Sequence, residues 1–244
     1  MTSFFVADVH LDIKQPSITE GFLRFLHRLP DGSNLYILGD LFDYWVGDDI
    51  LTDFHQQIAG ELAALSGRNI KTYFIQGNRD FMIGQPYAAL CKMTLLPDVT
   101  LITPNNIKVV ILHGDTLCTN DVSYQRFRRF TRIKFYQKIF LWLPRSFRQK
   151  LGGDIRKESR KHNKKYNSEK SAYILDVNQD TVVETMEKYQ ATIMIHGHTH
   201  KPAVHQFEMN GQPVQRIVLG AWHDACDYVV FDEAPILLPF MNLS

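Results

Sequence analysis

The chain has 244 residues, 45% hydrophobic and 22% charged, with 27 Lys and Arg against 26 Asp and Glu for a formal net charge of +1. That length and balance describe one globular core and, with no apolar run near the roughly 18 residues of a membrane-crossing segment, exclude a spanning helix. Cys91, Cys118 and Cys226 are odd in number and widely spaced, which excludes a disulfide framework and points to reduced thiols in a cytosolic protein.

The amino-terminal "MTSFFVADVH" has no basic region and meets a charge at Asp8, so no secretory signal is expected there. Its "FFVA" (4–7) is the first of a series of short apolar runs, each cut off by a polar cluster, here Asp8-Val9-His10. "SITEGFLRFLHRL" (17–29) predicts a helix with Ser17 and Glu20 as a capping box and a stripe through Phe22, Leu23, Phe25, Leu26 and Leu29. "LYIL" (35–38) then runs into Gly39-Asp40, and "LTDFHQQIAGELAAL" (51–65) reads as a second helix weakened by Gly60. "TYFIQ" (72–76) meets Gly77-Asn78-Arg79-Asp80, and "KVVIL" (108–112) meets His113-Gly114-Asp115. Runs rich in Val, Ile, Phe and Tyr without alternation are the pattern of strands buried on both faces.

Beyond Asp121 the pattern changes. From Asp121 to Lys170 there are 16 Lys and Arg against 4 Asp and Glu, while the remainder carries 11 basic and 22 acidic residues. Aromatics interleave with these cations at helical spacing, which predicts a helical insertion over 121–172 on an α/β body made of 1–120 and 173–244. The body resumes with "TIMI" (192–195), followed by His196-Gly197-His198 and, over 207–219, an Asn-Gly turn between two strand-like runs, a hairpin signal. No internal repeat is present.

Polar residues thus collect where strands end, the edge at which open α/β sheets build their sites. In "IMIHGHTHKP" (193–202), His196, His198 and His200 occupy alternate positions, and alternate side chains of an extended segment share a face. A lone histidine usually packs in a core; several in register suit a metal. Asp8, His10, Asp40, Asn78, His113, His196 and His198 form a mixed nitrogen and oxygen set that suits two divalent ions such as Mn, Fe or Zn. Two carboxylates against two dications leave a positive surplus, which attracts phosphate and lowers the pKa of a bridging water.

The ordered series DVH, GDLFD, GNRD, HGD and GHTH resembles the calcineurin-like metallophosphoesterases. The resemblance implies an αββα two-sheet sandwich around a dinuclear centre, with Asp8, His10 and His198 on one ion, Asn78, His113 and His196 on the other, and Asp40 bridging. His200, past the GHxH core, reads either as a supporting partner or as a surface residue, and Asp43, Asp80 and Asp115 read as supporting or turn residues. Arg79 stands where the broad family usually has a histidine. Arginine does not donate a proton at working pH but grips phosphate oxygens in a fork, so this position favours pyrophosphate cleavage over monoester cleavage; the plainer reading is a pair with Asp80.

A closer resemblance covers essentially the whole chain. "YILGDLFDYWVGDD", "GNRDFMIG", "HGDTLCTND", "HGHTHKPAVH" and "VLGAWH" are similar to the UDP-2,3-diacylglucosamine diphosphatases of Gram-negative lipid A synthesis. That resemblance implies cleavage of UDP-diacylglucosamine to UMP and 2,3-diacylglucosamine 1-phosphate by a metal-bridging hydroxide attacking the α phosphorus, usually with two Mn2+ ions. It implies Arg79 and His196 at the reacting phosphate, and substrate contacts from Asn78, Arg79, Asp121, Asn163, Asn167, Lys170 and His196. A helical cap would take the acyl chains, with Phe127, Phe130, Phe135, Tyr136, Phe140 and Trp142 lining a groove or resting on a membrane, and its cations would suit an anionic leaflet. The expectation is a monomer, cytoplasmic and peripheral on the inner membrane, with no nucleic-acid partner. Two other readings are a nuclease or phosphodiesterase gripping nucleic acid with the basic insertion, and a non-catalytic scaffold, against which all seven ligand positions are retained.

Overall fold

Each apolar run of the body becomes a strand in the computed structural model, which describes residues 1–165, 176–223 and 225–242. The first sheet holds β1 (Ser3–Val6), β2 (Asn34–Ile37), β3 (Lys71–Phe74) and β4 (Met93–Leu95) in parallel, extended by antiparallel β10 (Ala225–Phe231) and β11 (Pro235–Asn242) in the order β11-β10-β1-β2-β3-β4. The second holds β5 (Val99–Ile102), β6 (Val109–Leu112), β7 (Ile193–His196), β8 (Ala203–Met209) and β9 (Gln212–Val218) in the order β5-β6-β7-β9-β8, with β6, β7 and β9 parallel.

Strand alternation explains why these runs are apolar throughout. Phe5, Tyr36 and Leu38 from the first sheet meet Val109, Ile111, Ile193, Ile195 and Ile217 from the second in one buried cluster between the sheets. The intervening residues Phe4, Val6, Leu35, Ile37 and Phe74 face outward and pack under α1 (Pro16–Arg28), α2 (Asp53–Ala64) and α3 (Gln85–Leu90). On the far side, Val110, Leu112, Met194 and Val214 pack against Val182 and Met186 of a further helix, Gln179–Tyr189. Four layers result, helix-sheet-sheet-helix, because the central strands such as β1, β6 and β7 bury both faces.

Two local expectations resolve differently. The first helix starts at Pro16, with Gln15 before it and no side-chain cap, so Ser17 lies inside the first turn and the predicted capping box is not made; proline suits that first position because its missing N–H has no acceptor there anyway. A capping box forms instead on α2, between Thr52 and His55. The predicted hairpin is present: Met209 pairs with Gln212, leaving Asn210 and Gly211 as a two-residue turn, both with positive φ (54° and 74°), as a type I′ turn needs.

Between β6 and the last helix run α4 (Val122–Thr131), α5 (Lys134–Trp142) and α6 (Arg145–Lys165), which makes the helix Gln179–Tyr189 α7. Much of their basic surplus is spent on the acidic body. Arg128 bonds Asp98 and Asp115 at 2.6 and 2.7 Å, Arg132 bonds the Gly77 carbonyl at 2.9 Å, and Arg156 chelates Asp43 at 2.9 Å. Arg148 is 1% exposed, donating to the carbonyls of Val46 (2.7 Å) and Leu143 (3.0 Å) and to Asp49 (2.8 Å). Replacing Arg148 with Met keeps its volume and removes these donors, an expected loss of about 2 kcal/mol at the usual worth of charge-assisted hydrogen bonds, read as a lowered urea midpoint; an unshifted midpoint refutes the anchoring role.

Candidate metal centre

Because the core strands of both sheets run parallel, their carboxyl ends converge at one rim, and backbone bonds zip the outgoing loops together. Asp8 N–H donates to the Gly39 carbonyl (3.1 Å), His10 N–H to the Asp40 carbonyl (2.9 Å), and Trp222 N–H, from the loop after β9, to the Asp8 carbonyl (3.1 Å). Asp80 stitches the loops after β2 and β3 by accepting from the N–H groups of Gly77, Asp40, Leu41 and Phe42. Gly39, at φ 88°, leaves no room for a side chain: a Cβ there would lie 2.6 Å from Gly77 and 2.7 Å from the His113 ring. Asp8, His10, Asp40, His198 and His200 all have positive φ, between 53° and 71°. Asp and His tolerate that left-handed conformation better than most residues, and its concentration at one rim marks a functional site.

Asp8, His10, Asp40 and His113 are each no more than 1% exposed. Two groups of ligand atoms form there. Around Asp8 Oδ1 stand His200 Nε2 at 3.3 Å and His10 Nε2 at 3.7 Å; His10 Nε2 also lies 3.3 Å from Asp40 Oδ2. Across Asp40, His113 Nε2 lies 3.8 Å from Asp40 Oδ1 and 2.9 Å from Asn78 Oδ1, and His198 Nδ1 lies 2.9 Å from Asn78 Oδ1 and 3.2 Å from His113 Nε2. The atoms of Asp8, His10 and His200, and those of Asp8, Asp40 and His113, each fall within 4.8 Å of one another. The donor set fits divalent cations on an observation of its own: Asp8 Oδ1, fully buried, accepts no hydrogen bond among the described residues, and a dry anionic oxygen without a donor is stable only beside positive charge.

This arrangement corrects the histidine assignment. His198, expected with Asp8 and His10, sits with Asn78 and His113, and His200 takes the place beside Asp8 and His10. His196, expected as a ligand and at the phosphate, belongs to neither group: its Nδ1 meets the Gly197 carbonyl at 2.8 Å and its Nε2 meets Arg216 at 3.1 Å. The reason is conformational. Strand β7 ends at His196, so alternation sends that ring to the outer face with Met194, whereas His198 and His200 follow in left-handed turns (φ 71° and 57°) that swing them onto the rim. Arg79 pairs not with Asp80 but with Asp40 (Nε, 3.1 Å) and Asp43 (Nη1, 2.9 Å). Asp121 caps α4, accepting from Tyr124 N–H at 2.9 Å. Asn163 lies on α6 where only the backbone is described, and Asn167 and Lys170 lie outside the described residues. The sequence reading missed Arg156 and Arg216, whose partners are 113 and 20 residues away; the third histidine of the alternate series was the one signal for His200.

Burial alone would raise Asp8, but His200, His113 and His10 outweigh it and bring it down to about 2. Asp40 likewise falls well below the usual range despite burial, through His113, its hydrogen bond to His10, and Arg79. Burial, then Arg79, lowers His10 to about 4; burial, then Arg216, lowers His196 to about 3; burial, then His113, lowers His198 to about 4. His113 is raised because Asp40, Asp8 and Asp115 overcome its burial. Burial and the Asp40 carboxylate raise Asp80 to about 7. The rim therefore presents ionised Asp8 and Asp40 and neutral His10 and His198, the protonation states that bind metal, whereas His113 holds its proton more tightly than a free imidazole until a cation displaces it.

Comparison with known proteins agrees with this chemistry. The calcineurin-like phosphoesterase family matches residues 1–202. A curated UDP-2,3-diacylglucosamine hydrolase of Pectobacterium carotovorum subsp. carotovorum (strain PC1) is 49% identical over 225 residues, 92% of either chain. Curated proteins of the same name from Yersinia enterocolitica serotype O:8 / biotype 1B and Escherichia coli O7:K1 are each 47% identical over 224 residues, covering 91% of this chain and 92% of theirs.

The ionisation pattern predicts acid sensitivity of the metal-free protein. Unfolded, His10, His196 and His198 protonate near 6.5; folded, only at about 3 to 4, so their stabilisation is present above pH 6.5 and is lost as pH falls toward the folded values. Asp80, which holds its proton more tightly when folded, opposes one of these three, and raised His113 adds no slope below 6.5. Denaturant midpoints of chelator-treated protein are expected to drop from pH 7 to pH 5; a level or rising midpoint refutes the assigned protonation states.

Proposed function

Because the chain belongs to the calcineurin-like phosphoesterases, and within them to the UDP-2,3-diacylglucosamine hydrolases, we propose that it hydrolyses the pyrophosphate bond of UDP-2,3-diacylglucosamine, releasing UMP and 2,3-diacylglucosamine 1-phosphate for lipid A synthesis. The observation that carries this reading is the pair of dry carboxylates shared among imidazoles from three loops, with Arg79 at their edge. Asp8, His10 and His200 would hold one divalent ion and Asn78, His113 and His198 a second, with Asp40 within reach of either group. Manganese suits this mixture of imidazole and oxygen donors. Bound there, such ions neutralise phosphate charge and acidify a water.

The protein's own contribution is placement. Arg79 is anchored through Nε and Nη1, leaving Nη2 to donate to a phosphate oxygen. It supplies no proton, and a phosphate leaving group needs none, which supports pyrophosphate cleavage. Under this reading residues 121–172 serve as a cap, and Asp121, Asn163, Asn167 and Lys170 are among the residues that contact the sugar and phosphates. On its helices Phe127, Phe130, Phe135 and Tyr136 are exposed, and Trp142 is 86% exposed. These aromatics, flanked by Arg126, Arg129, Lys134 and Lys138, suit acyl chains and an anionic inner-membrane leaflet, and among the described residues no helix is long and apolar enough to cross a membrane. The chain is proposed to act as a monomer.

Turnover in H2(18)O with added manganese tests the reaction and its direction: the label is expected in UMP, marking attack on the α phosphorus. Label in the lipid product rejects that direction, and cleavage of RNA or DNA with no response to acyl chains favours the nuclease instead. Arg79→Ala is expected to lower kcat by about 100- to 1,000-fold, the usual cost of one charge-stabilising donor, with metal content unchanged; loss of metal shows that Arg79 serves the ions and not the phosphate.

A further inference from the structure

Arg216 is 7% exposed, yet its Nε has no hydrogen-bond partner among the described residues. A buried cation left partly unsatisfied calls for a reason beyond packing. Register supplies its neighbour: Arg216 pairs with Met194 across β9 and β7, on the face to which alternation also sends His196. Arg216 Nη1 lies 3.1 Å from His196 Nε2, and His196 Nδ1 lies 2.8 Å from the Gly197 carbonyl. A guanidinium only donates, so Nε2 must accept, the ring's single proton sits on Nδ1, and Nδ1–H donates to Gly197.

The Gly197 peptide is clamped from other sides as well. Its N–H donates to the His113 carbonyl at 2.8 Å, and the next N–H, of His198, donates to Asp8 Oδ2 at 2.7 Å. A Cβ on Gly114 would lie 2.9 Å from both the Gly197 oxygen and His196 Nδ1, so the two loops are in contact. The orientation of this peptide sets where the following turn projects His198 and His200.

We infer that Arg216 and His196 are positioning residues: the guanidinium fixes the tautomer of His196, and the His196 Nδ1–H holds the Gly197 turn in the orientation that presents His198 and His200 to the cations. This rests on the two-cation reading above. Partners that orient a metal site from behind typically change metal affinity by about 10- to 100-fold when removed.

The test is Mn2+ binding by calorimetry on the full chain, with long-range 1H–15N spectra of the histidine rings in the metal-free protein. Wild type is expected to show His196 protonated at Nδ1. Arg216→Met is expected to bind Mn2+ about 10- to 100-fold more weakly and to mix the two tautomers, and Arg216→Lys, which keeps a donor, to recover most of the affinity. His196→Asn, whose amide can replace the Nδ1–H bond, is expected to bind better than His196→Phe. Wild-type affinity in Arg216→Met, or a proton on Nε2 in the wild type, overturns the relay while leaving the cation site standing. Should Arg216→Met not fold, equal affinity of the two His196 variants overturns it. No Mn2+ binding by wild type overturns the cation site, and the relay with it.

Discussion

Two carboxylates, Asp8 and Asp40, sit fully dried at the ends of adjacent parallel strands, and most of the surrounding structure answers their charge. Water is excluded, so compensation must come from the protein and from bound cations. The loops after β1, β6 and β7 contribute imidazoles, and the loop after β3 contributes Arg79 and the Asn78 amide. The left-handed backbone at Asp8, His10, Asp40, His198 and His200 follows from the same demand: short ligands leaving different strands must turn back sharply to reach a common point. Such conformations are held only where surrounding contacts over-determine them, as the cross-loop backbone bonds and the Asp80 stitch do here.

The opposed charges of helices α4 to α6 and of the rest of the chain have a related origin. Asp43, Asp49, Asp98 and Asp115 of the body take Arg156, Arg148, Arg128 and Arg132 of the helices. Asp115 is brought to about 2 despite its burial by His113, Arg128 and His198, so one carboxylate faces both the rim and α4. Asp43 similarly lies between Arg79 and Arg156, linking the residue at the proposed reaction site to α6. The cations left over lie on helices whose aromatics are exposed among the described residues, a surface whose chemistry matches a lipid substrate better than a purely polar one.

The layered fold and much of the centre were legible in the sequence because both follow local rules. Uninterrupted apolar runs such as "VVIL" announce strands covered on both faces, and the Asn210-Gly211 hairpin announces its own turn. Asp8, His10, Asp40, Asn78 and His113 each lie in the loop that leaves the carboxyl end of a strand, where side chains in an α/β sheet reach a shared edge. The capping box expected at Ser17 failed because Pro16 starts its helix one residue earlier.

What the sequence by itself determined is part of the inventory: strands β1, β2, β3, β6 and β7 and the β8–β9 hairpin, though not β4, β5, β10 or β11, and the nitrogen and oxygen donors that follow those strands. What only the tertiary structure decided is the use of equally spaced groups. His196, His198 and His200 look equivalent as a string of alternate residues, but β7 stops at His196, and two left-handed residues then break the alternation. One ring is thereby sent to Arg216 on the outer face, one to Asn78 and His113, and one to Asp8. Pairings such as Arg148 with Asp49 or Arg156 with Asp43 were equally hidden, because a long-range ion pair depends on the fold that brings its partners together and leaves no local pattern in either segment.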